Sequence, residues 1–296
     1  MSAGLLRRAL DLLILICAGA PIALGGARAD DLSDGRFRDE VAALVRVLQP
    51  AAEIRLDSDP GQINVGPRTI ALTNLYPRVA GLTGSERRRA IAEFIADVLA
   101  RSQPATDPGD FAAIQSRLRV QLVPGEILHQ RPEIAHRRFS ETLFVVYVLD
   151  EPKRYQYVTR AMLAGWHVEP ALVEATAVKN LAATSKDAPF SLGVGDDTPI
   201  FAIADSGDDY DAARLLVPDY LDQMRRALKA DSITLTAPTR NALMAWPADS
   251  AARHELAAEA TKQMRAGPYG RSDELFHFDR NGLRPLTAAE RADHGR

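Results

Sequence analysis

"TLFVVYVLD", residues 142–150, is the stretch on which the fold turns. Leu143 to Leu149 run without a charged or small polar residue, and three of the seven are valines. A run this short, apolar on both alternations and β-branched, predicts a strand buried on both faces at the centre of a sheet. Upstream, "RLRVQLVP" (117–124) alternates like a half-buried strand. Downstream, "VEPALVEATAVKNLAA" (168–183) predicts a helix, with Pro170 tolerated in its first turn. "TSKDAPFSLGVGDDT" (184–198) reads as loop, and "PIFAIAD" (199–205) as a second buried strand.

That second strand leads into "ADSGDDYDAARLL" (204–216). A helix is predicted over 209–228, burying Leu215, Leu216, Tyr220, Leu221, Met224 and Leu228, with Pro218 kinking or splitting it. "SITLTAPTRNALMAWP" (232–247) predicts a hairpin turning at 238–241, and 249–264 a helix capped by Asp249 or Ser250. A last hairpin over 273–286 turns at Asn281-Gly282. The final ten residues, 287–296, are expected to be a disordered tail.

Ahead of the central strand, Phe37, Val41, Leu44, Val45 and Leu48 recur at helical spacing up to Pro50. Short strands follow at 53–57, 62–65 and 69–73, broken by Asp-Pro-Gly and Gly-Pro turns. Thr83 and Glu86 form a capping box for a helix whose apolar face is Ile91, Phe94, Ile95, Val98 and Leu99. "SQPATDPGD" (102–110) is a loop and a domain boundary. The class is α+β, with mixed or antiparallel sheet and packed helices. The expected domains are an N-terminal helix-hairpin-helix unit at 30–102 and a larger α+β domain at 112–286. The helix, hairpin, helix order near 37–101 and near 209–264 suggests a duplication.

Arg7 and Arg8 precede the apolar run "LLILICAGAPIAL", and Ala27 and Ala29 then stand in an A-x-A spacing. These are the marks of a secretory signal at 1–29, cut between Ala29 and Asp30. The apolar run is shorter than the roughly 20 residues needed to span a bilayer, so no stable membrane span is expected after cleavage. Cys17, the single cysteine, lies inside the signal after the non-small Ile16, which argues against lipidation and leaves the mature chain cysteine-free. Disulfides, thiol catalysis and thiolate zinc sites are thereby excluded from it. The abundance of arginine over lysine and of alanine fits a GC-rich bacterial genome, which places the mature chain in the periplasm or outside the cell. Loss of the signal removes Arg7, Arg8 and Arg28 against Asp11 and takes the net charge from −3 to −5. That balance argues against a nucleic-acid partner.

The candidate site is the acidic cluster Asp205, Asp208, Asp209 and Asp211. As metal ligands these would suit a hard cation, but their spacing fails the calcium-loop pattern. The preferred reading makes them a helix start, with Ser206, Asp208 or Asp209 as the cap and Asp211 in the first turn. "HELAAE" (254–259) opens like a zinc-protease signature but has Ala258 where the second histidine belongs, and His254 with Glu259 does not share a helix face. His129 and His136 flank a segment that Pro124 and Pro132 mark as loop. Glycine-rich phosphate loops and a G-x-S-x-G elbow are missing, so no cofactor is predicted. Trp166 and Trp246 are expected in the core.

Taken together, "VVYVLDEPKRYQYVTRAMLAGWHVEPALVEATAVKNL", "DDYDAARLL" and "APTRNALMAW" resemble the YtpQ-like bacterial proteins of unknown function. The resemblance covers roughly 143–286 and rests on Val158-Thr159, Trp166, the A-x-x-N-L end at 177–181 and the Y-D-A-A start at 210–213. It implies a shared fold and brings no reaction. The leading expectation is an exported, non-catalytic protein that binds another protein or a cell-envelope component. The alternative is an exported hydrolase or metal-dependent enzyme that uses the 205–211 segment.

Overall fold

A computed structural model describes residues 35–56, 61–66, 68–72, 75–79, 81–100, 109–151, 154–195, 198–266 and 269–295. The segment expected to be a secretory signal, with Ala27, Ala29 and Asp30 at its expected cut, lies outside the described residues. The chain divides into two compact units between Thr106 and Asp107. The α+β class expected from the sequence is observed, with every named strand pair antiparallel.

In the N-terminal unit, helix α1 (Arg36–Leu48) precedes a three-stranded meander of β1 (Ile54–Arg55), β2 (Gln62–Val65) and β3 (Arg68–Ala71). A single turn, α2 (Tyr76–Val79), and the longer α3 (Gly84–Ala100) complete it. Phe37, Val41 and Val45 from α1 meet Ile63, Val65 and Ile70 from the sheet and Ile91 and Ile95 from α3. Arg87 of α3 forks onto the Glu40 carboxylate of α1 at 2.8–3.1 Å and lies 5.2 Å over the Phe37 ring, which joins the two helices.

The C-terminal unit holds two sheets. The first is built on the quoted stretch. After a short turn, α4 (Phe111–Ile114), come β4 (Leu118–Pro124), α5 (Gly125–Gln130), β5 (His136–Arg138), β6 (Leu143–Glu151) and β7 (Arg154–Tyr157). Along one edge β6 pairs with β4 over its length, and β5 and β7 share the other edge end to end. The strand is central because both its faces are covered. Val145, Tyr147 and Leu149 face the main core, where α7 (Pro170–Ser185) packs through Val173, Ala177 and Leu181. Val146, on the other face, meets Val123, Leu128 and Ile134. β4, expected half-buried, is buried on both faces for the same reason. Between β7 and α7 lies α6 (Arg160–Trp166).

The second sheet is six-stranded, in the order β13-β12-β10-β11-β9-β8. Its strands are β8 (Ser191–Gly195), β9 (Thr198–Ala204), β10 (Ile233–Thr239), β11 (Ala242–Pro247), β12 (Phe276–Asp279) and β13 (Gly282–Pro285). One face, through Ala202, Leu235 and Phe276, joins the main core. The other, through Phe201, Met244 and Trp246, meets Leu256 and Ala260 of α9 (Arg253–Ala266).

Five expectations are corrected. The 184–198 segment is not all loop, because β8 is an edge strand. Its Gly193 gives no strand signal, yet a Cβ there would overlap the Phe201 ring. The helix over 209–228 is a 3₁₀ turn (Ala212–Leu216), an extended Val217 and α8 (Pro218–Ala227). The expected split at Pro218 is observed, the proline taking the first helical position, where no N–H is needed; what differs is that 212–216 is a 3₁₀ turn and the helix starts only at Pro218. The last hairpin turns at Arg280-Asn281, one residue before the expected pair, with Gly282 at φ 113 opposite Asp279. Residues 287–295 are not a disordered tail. A reciprocal Thr287–Glu290 capping box starts α10 (Ala288–Ala292), and His294 is 5% exposed, within hydrogen-bond distance of Trp246 and Thr234. The suggested duplication is not seen: the first hairpin belongs to a three-stranded meander, the second to the middle of a six-stranded sheet.

Val146→Asp places a carboxylate among Val123, Leu128 and Ile134 and is expected to cost several kcal/mol. Thermal or urea unfolding measures this, and a variant that unfolds with the parent contradicts the two-sided burial of β6.

Candidate functional site

The acidic cluster does not cap the helix that follows it. It wraps an arginine. β9 ends at Ala204, and the chain then turns through Gly207 and Asp209, both in the left-handed region at φ 76 and 70. The turns bring two aspartates onto Arg214, which is fully buried. Its Nη1 donates to Asp211 at 2.7 Å, and to Asp208 and the Ser206 hydroxyl at 3.1 Å, while Nη2 donates to the other Asp208 oxygen. Asp208 also accepts from the Tyr210 backbone N–H at 2.9 Å and the Ser206 hydroxyl at 2.8 Å. Asp211 accepts from the Ser206 N–H at 3.0 Å. The Arg214 guanidinium lies 5.4 Å over the Tyr220 ring of α8. All four carboxylate oxygens of Asp208 and Asp211 therefore have donors. Asp205 is exposed and lies outside the knot.

Two carboxylates share one guanidinium, so the excess negative charge must settle on one of them. Asp208 is partly exposed; burial opposes its charge, but hydrogen bonds from Arg214, Ser206 and Tyr210 outweigh that and hold it below the usual range. Asp211 has no exposure, and burial pushes it up to about 6 against the pull of Arg214.

The fourth aspartate connects the knot to a second cluster. Asp209 accepts from Arg240 Nη2 at 2.7 Å. Arg240 occupies the two-residue turn between β10 and β11, stacks 3.8 Å from the Tyr269 ring centroid and bonds Asn241 at 3.0 Å. The segment around Tyr269 runs beside the end of β10. The Arg240 N–H donates to the Tyr269 carbonyl, and the Arg271 N–H to that of Pro238. Gly270 sits in this crossing, where a Cβ would strike the Met264 carbonyl. From the first sheet, Tyr155 of β7 lies close enough to Arg240 and Arg271 to act on the charge of both. Tyr157 stands two residues on along the same face, with the rings edge to face at 5.4 Å. Arg131 lies 5.1 Å over Tyr157 and pairs with Glu133. Three arginines and three tyrosines from both sheets thus meet beside the aspartate segment.

Sequence reading placed the four aspartates and missed this second cluster. Tyr155 and Tyr157 show period-2 spacing, a signal that was available. Arg240 and Arg271 stand far apart in the chain, and only the antiparallel crossing brings them together. The remaining candidates stay apart. Glu259 pairs with Lys262 and bonds Gln263 within α9. His129 lies on α5, a short helix where a loop was expected, because Pro124 precedes it as N-cap and Pro132 follows its end. His136 Nδ1 lies 2.9 Å from the Ile134 carbonyl oxygen. Trp166 and Trp246 are core residues, Trp166 donating its indole N–H to the Gly109 carbonyl. Among the described residues no group of three or more His, Cys, Asp or Glu is placed to hold a metal, and no helix is long and apolar enough to cross a membrane. No protein-family model matches the chain, and no curated protein or solved structure is significantly similar to it.

Asp211 sets a pH signature. Its folded pKa of about 6 lies above the unfolded value near 3.9, so the folded state binds the extra proton in between. Its contribution to stability is complete below about pH 4 and is lost as pH rises through about 6. Asp211→Asn lacks this titration, and its melting temperature relative to the parent is expected to improve from pH 4 to pH 7. Parallel melting curves over that range contradict the burial of an acidic Asp211.

Proposed function

We propose that this protein is an exported, non-catalytic binding protein of the bacterial cell envelope, periplasmic or secreted, with a YtpQ-like C-terminal domain. Its binding face is the arginine–tyrosine cluster around Arg240. The observation that carries this reading is the contrast between the two clusters. Asp208 and Asp211 spend every carboxylate oxygen on donors from their own segment. Half-buried Tyr155, Tyr157 and Tyr269, with Arg240 and Arg271 buried beneath them, are the residue types that dominate recognition sites. A metal-dependent or hydrolytic use of 205–211 is the weaker reading, since a cation there must displace a buried guanidinium that already forms two ion pairs.

Export rests on Arg7, Arg8, the apolar run after them and the A-x-A spacing before Asp30. The acidic net charge supports a partner other than nucleic acid. The test is fractionation of a bacterial host expressing the chain with its own leader, followed by N-terminal sequencing. The expected product starts at Asp30 and is found in the periplasm or medium. A product that keeps Met1, or is recovered from the cytosol alone, overturns the export reading.

A further inference from the structure

Of the three buried arginines of the C-terminal unit, Arg214, Arg240 and Arg271, the first and last have opposite charge balance. Arg214 has no exposure and two carboxylates. Arg271 is 6% exposed and meets no carboxylate among the described residues. Its Nη1 reaches only the Tyr269 and Gly270 carbonyl oxygens, both at 3.5 Å, and its Nε is buried without a hydrogen-bond partner. The Tyr155 and Tyr157 side chains also lie near it. A guanidinium carries five donors, and burying it unpaired is costly. Burial pushes its pKa down, and the charge of nearby Arg240 adds to that push.

The neighbouring charges are already matched. Arg240 has Asp209 at 2.7 Å, and Arg131 has Glu133 at 3.1 Å. Among the described residues Arg271 is the one arginine of this cluster without a carboxylate in ion-pair contact. Tyr155, Tyr157 and Tyr269 around it are only half-buried, so the guanidinium lies about one side chain below the surface. We propose that Arg271 and Arg240, backed by Tyr155, form a binding site for a monoanionic group with two equivalent oxygens, a carboxylate or a phosphodiester. A single charge on two oxygens matches both the single charge of Arg271 and the planar fork of a guanidinium. Asp209 is the internal competitor: its carboxylate occupies Arg240, and its side chain is 44% exposed. The site supplies a ligand class for the proposed binding face and rests on that reading, though not on export.

The test uses purified protein and three probes: acetate, dimethyl phosphate, and phosphatidylglycerol vesicles beside phosphatidylcholine ones. Either small anion is expected to raise the melting temperature saturably, beyond chloride at equal ionic strength. Arg271→Gln should abolish that rise. Asp209→Asn, at a partly exposed position, should tighten binding by roughly three- to tenfold, because it removes a like charge beside the anion. Vesicle binding that requires phosphatidylglycerol and Arg271 identifies a lipid headgroup as the source; response to the small anions alone identifies a soluble ligand. No anion-specific rise in the parent protein, a rise kept in folded Arg271→Gln, or unchanged affinity in Asp209→Asn overturns the site. If Arg271→Gln does not fold, Asp209→Asn decides. A cytosolic location found by fractionation would overturn the export reading and leave this result standing.

Discussion

The burial of Arg214 is the constraint around which the C-terminal unit is arranged. A guanidinium with no solvent exposure is tolerated when its charge is met in place. Here the chain meets that charge and bonds both terminal nitrogens from within nine residues, Ser206 to Arg214, by turning twice through left-handed positions, with Nε buried without a hydrogen-bond partner. The same turns end β9, start the 3₁₀ turn and deliver the chain to Pro218, where α8 begins. Tyr220 of α8 closes over the guanidinium. The aspartates thus act on the path of the backbone, and through it on the placing of a strand, a turn and a helix.

The knot also sets what lies beside it. Asp209 is held in a left-handed conformation between Asp208 and Asp211, and from there its carboxylate reaches Arg240 while its carbonyl accepts from Gln121 of β4. The Ala212 N–H donates to the Arg240 carbonyl. The turn between β10 and β11 is therefore fastened to the aspartate segment by both backbone and side chain, and through Gln121 to the first sheet. The binding face proposed above stands on this shared frame and not on a mobile loop.

Much of this frame was legible in local pattern. The apolar run at 142–150 marked β6 because burial on both faces leaves no polar alternation, and Pro218 marked the break before α8 because proline lacks the N–H a helix interior requires. β8 was hidden, since Ser191, Gly193 and Gly195 carry no β-branched signal and the strand exists through pairing with β9. The C-terminal helix was hidden as well. Its capping box was in the sequence, but its value depends on His294 finding Trp246 across the chain. The aspartates were found by composition and given the wrong task. Capping is local and can be read from spacing, whereas wrapping an arginine depends on two left-handed residues, one of them not glycine. Arg240 and Arg271 left no trace at all in spacing, because only the crossing of residues 269–272 with β10 makes them neighbours.

The central claim, that Arg214 is held by the carboxylates of Asp208 and Asp211 and organises the segment, is tested most directly by a mutant cycle read in urea unfolding. Arg214→Met alone strands two carboxylates and is expected to cost about 3–5 kcal/mol. Adding Asp208→Asn and Asp211→Asn removes the stranded charges, and the account predicts that the triple variant is more stable than Arg214→Met. A triple variant that loses the sum of the separate costs would show that the three side chains do not act as a unit and would contradict the account.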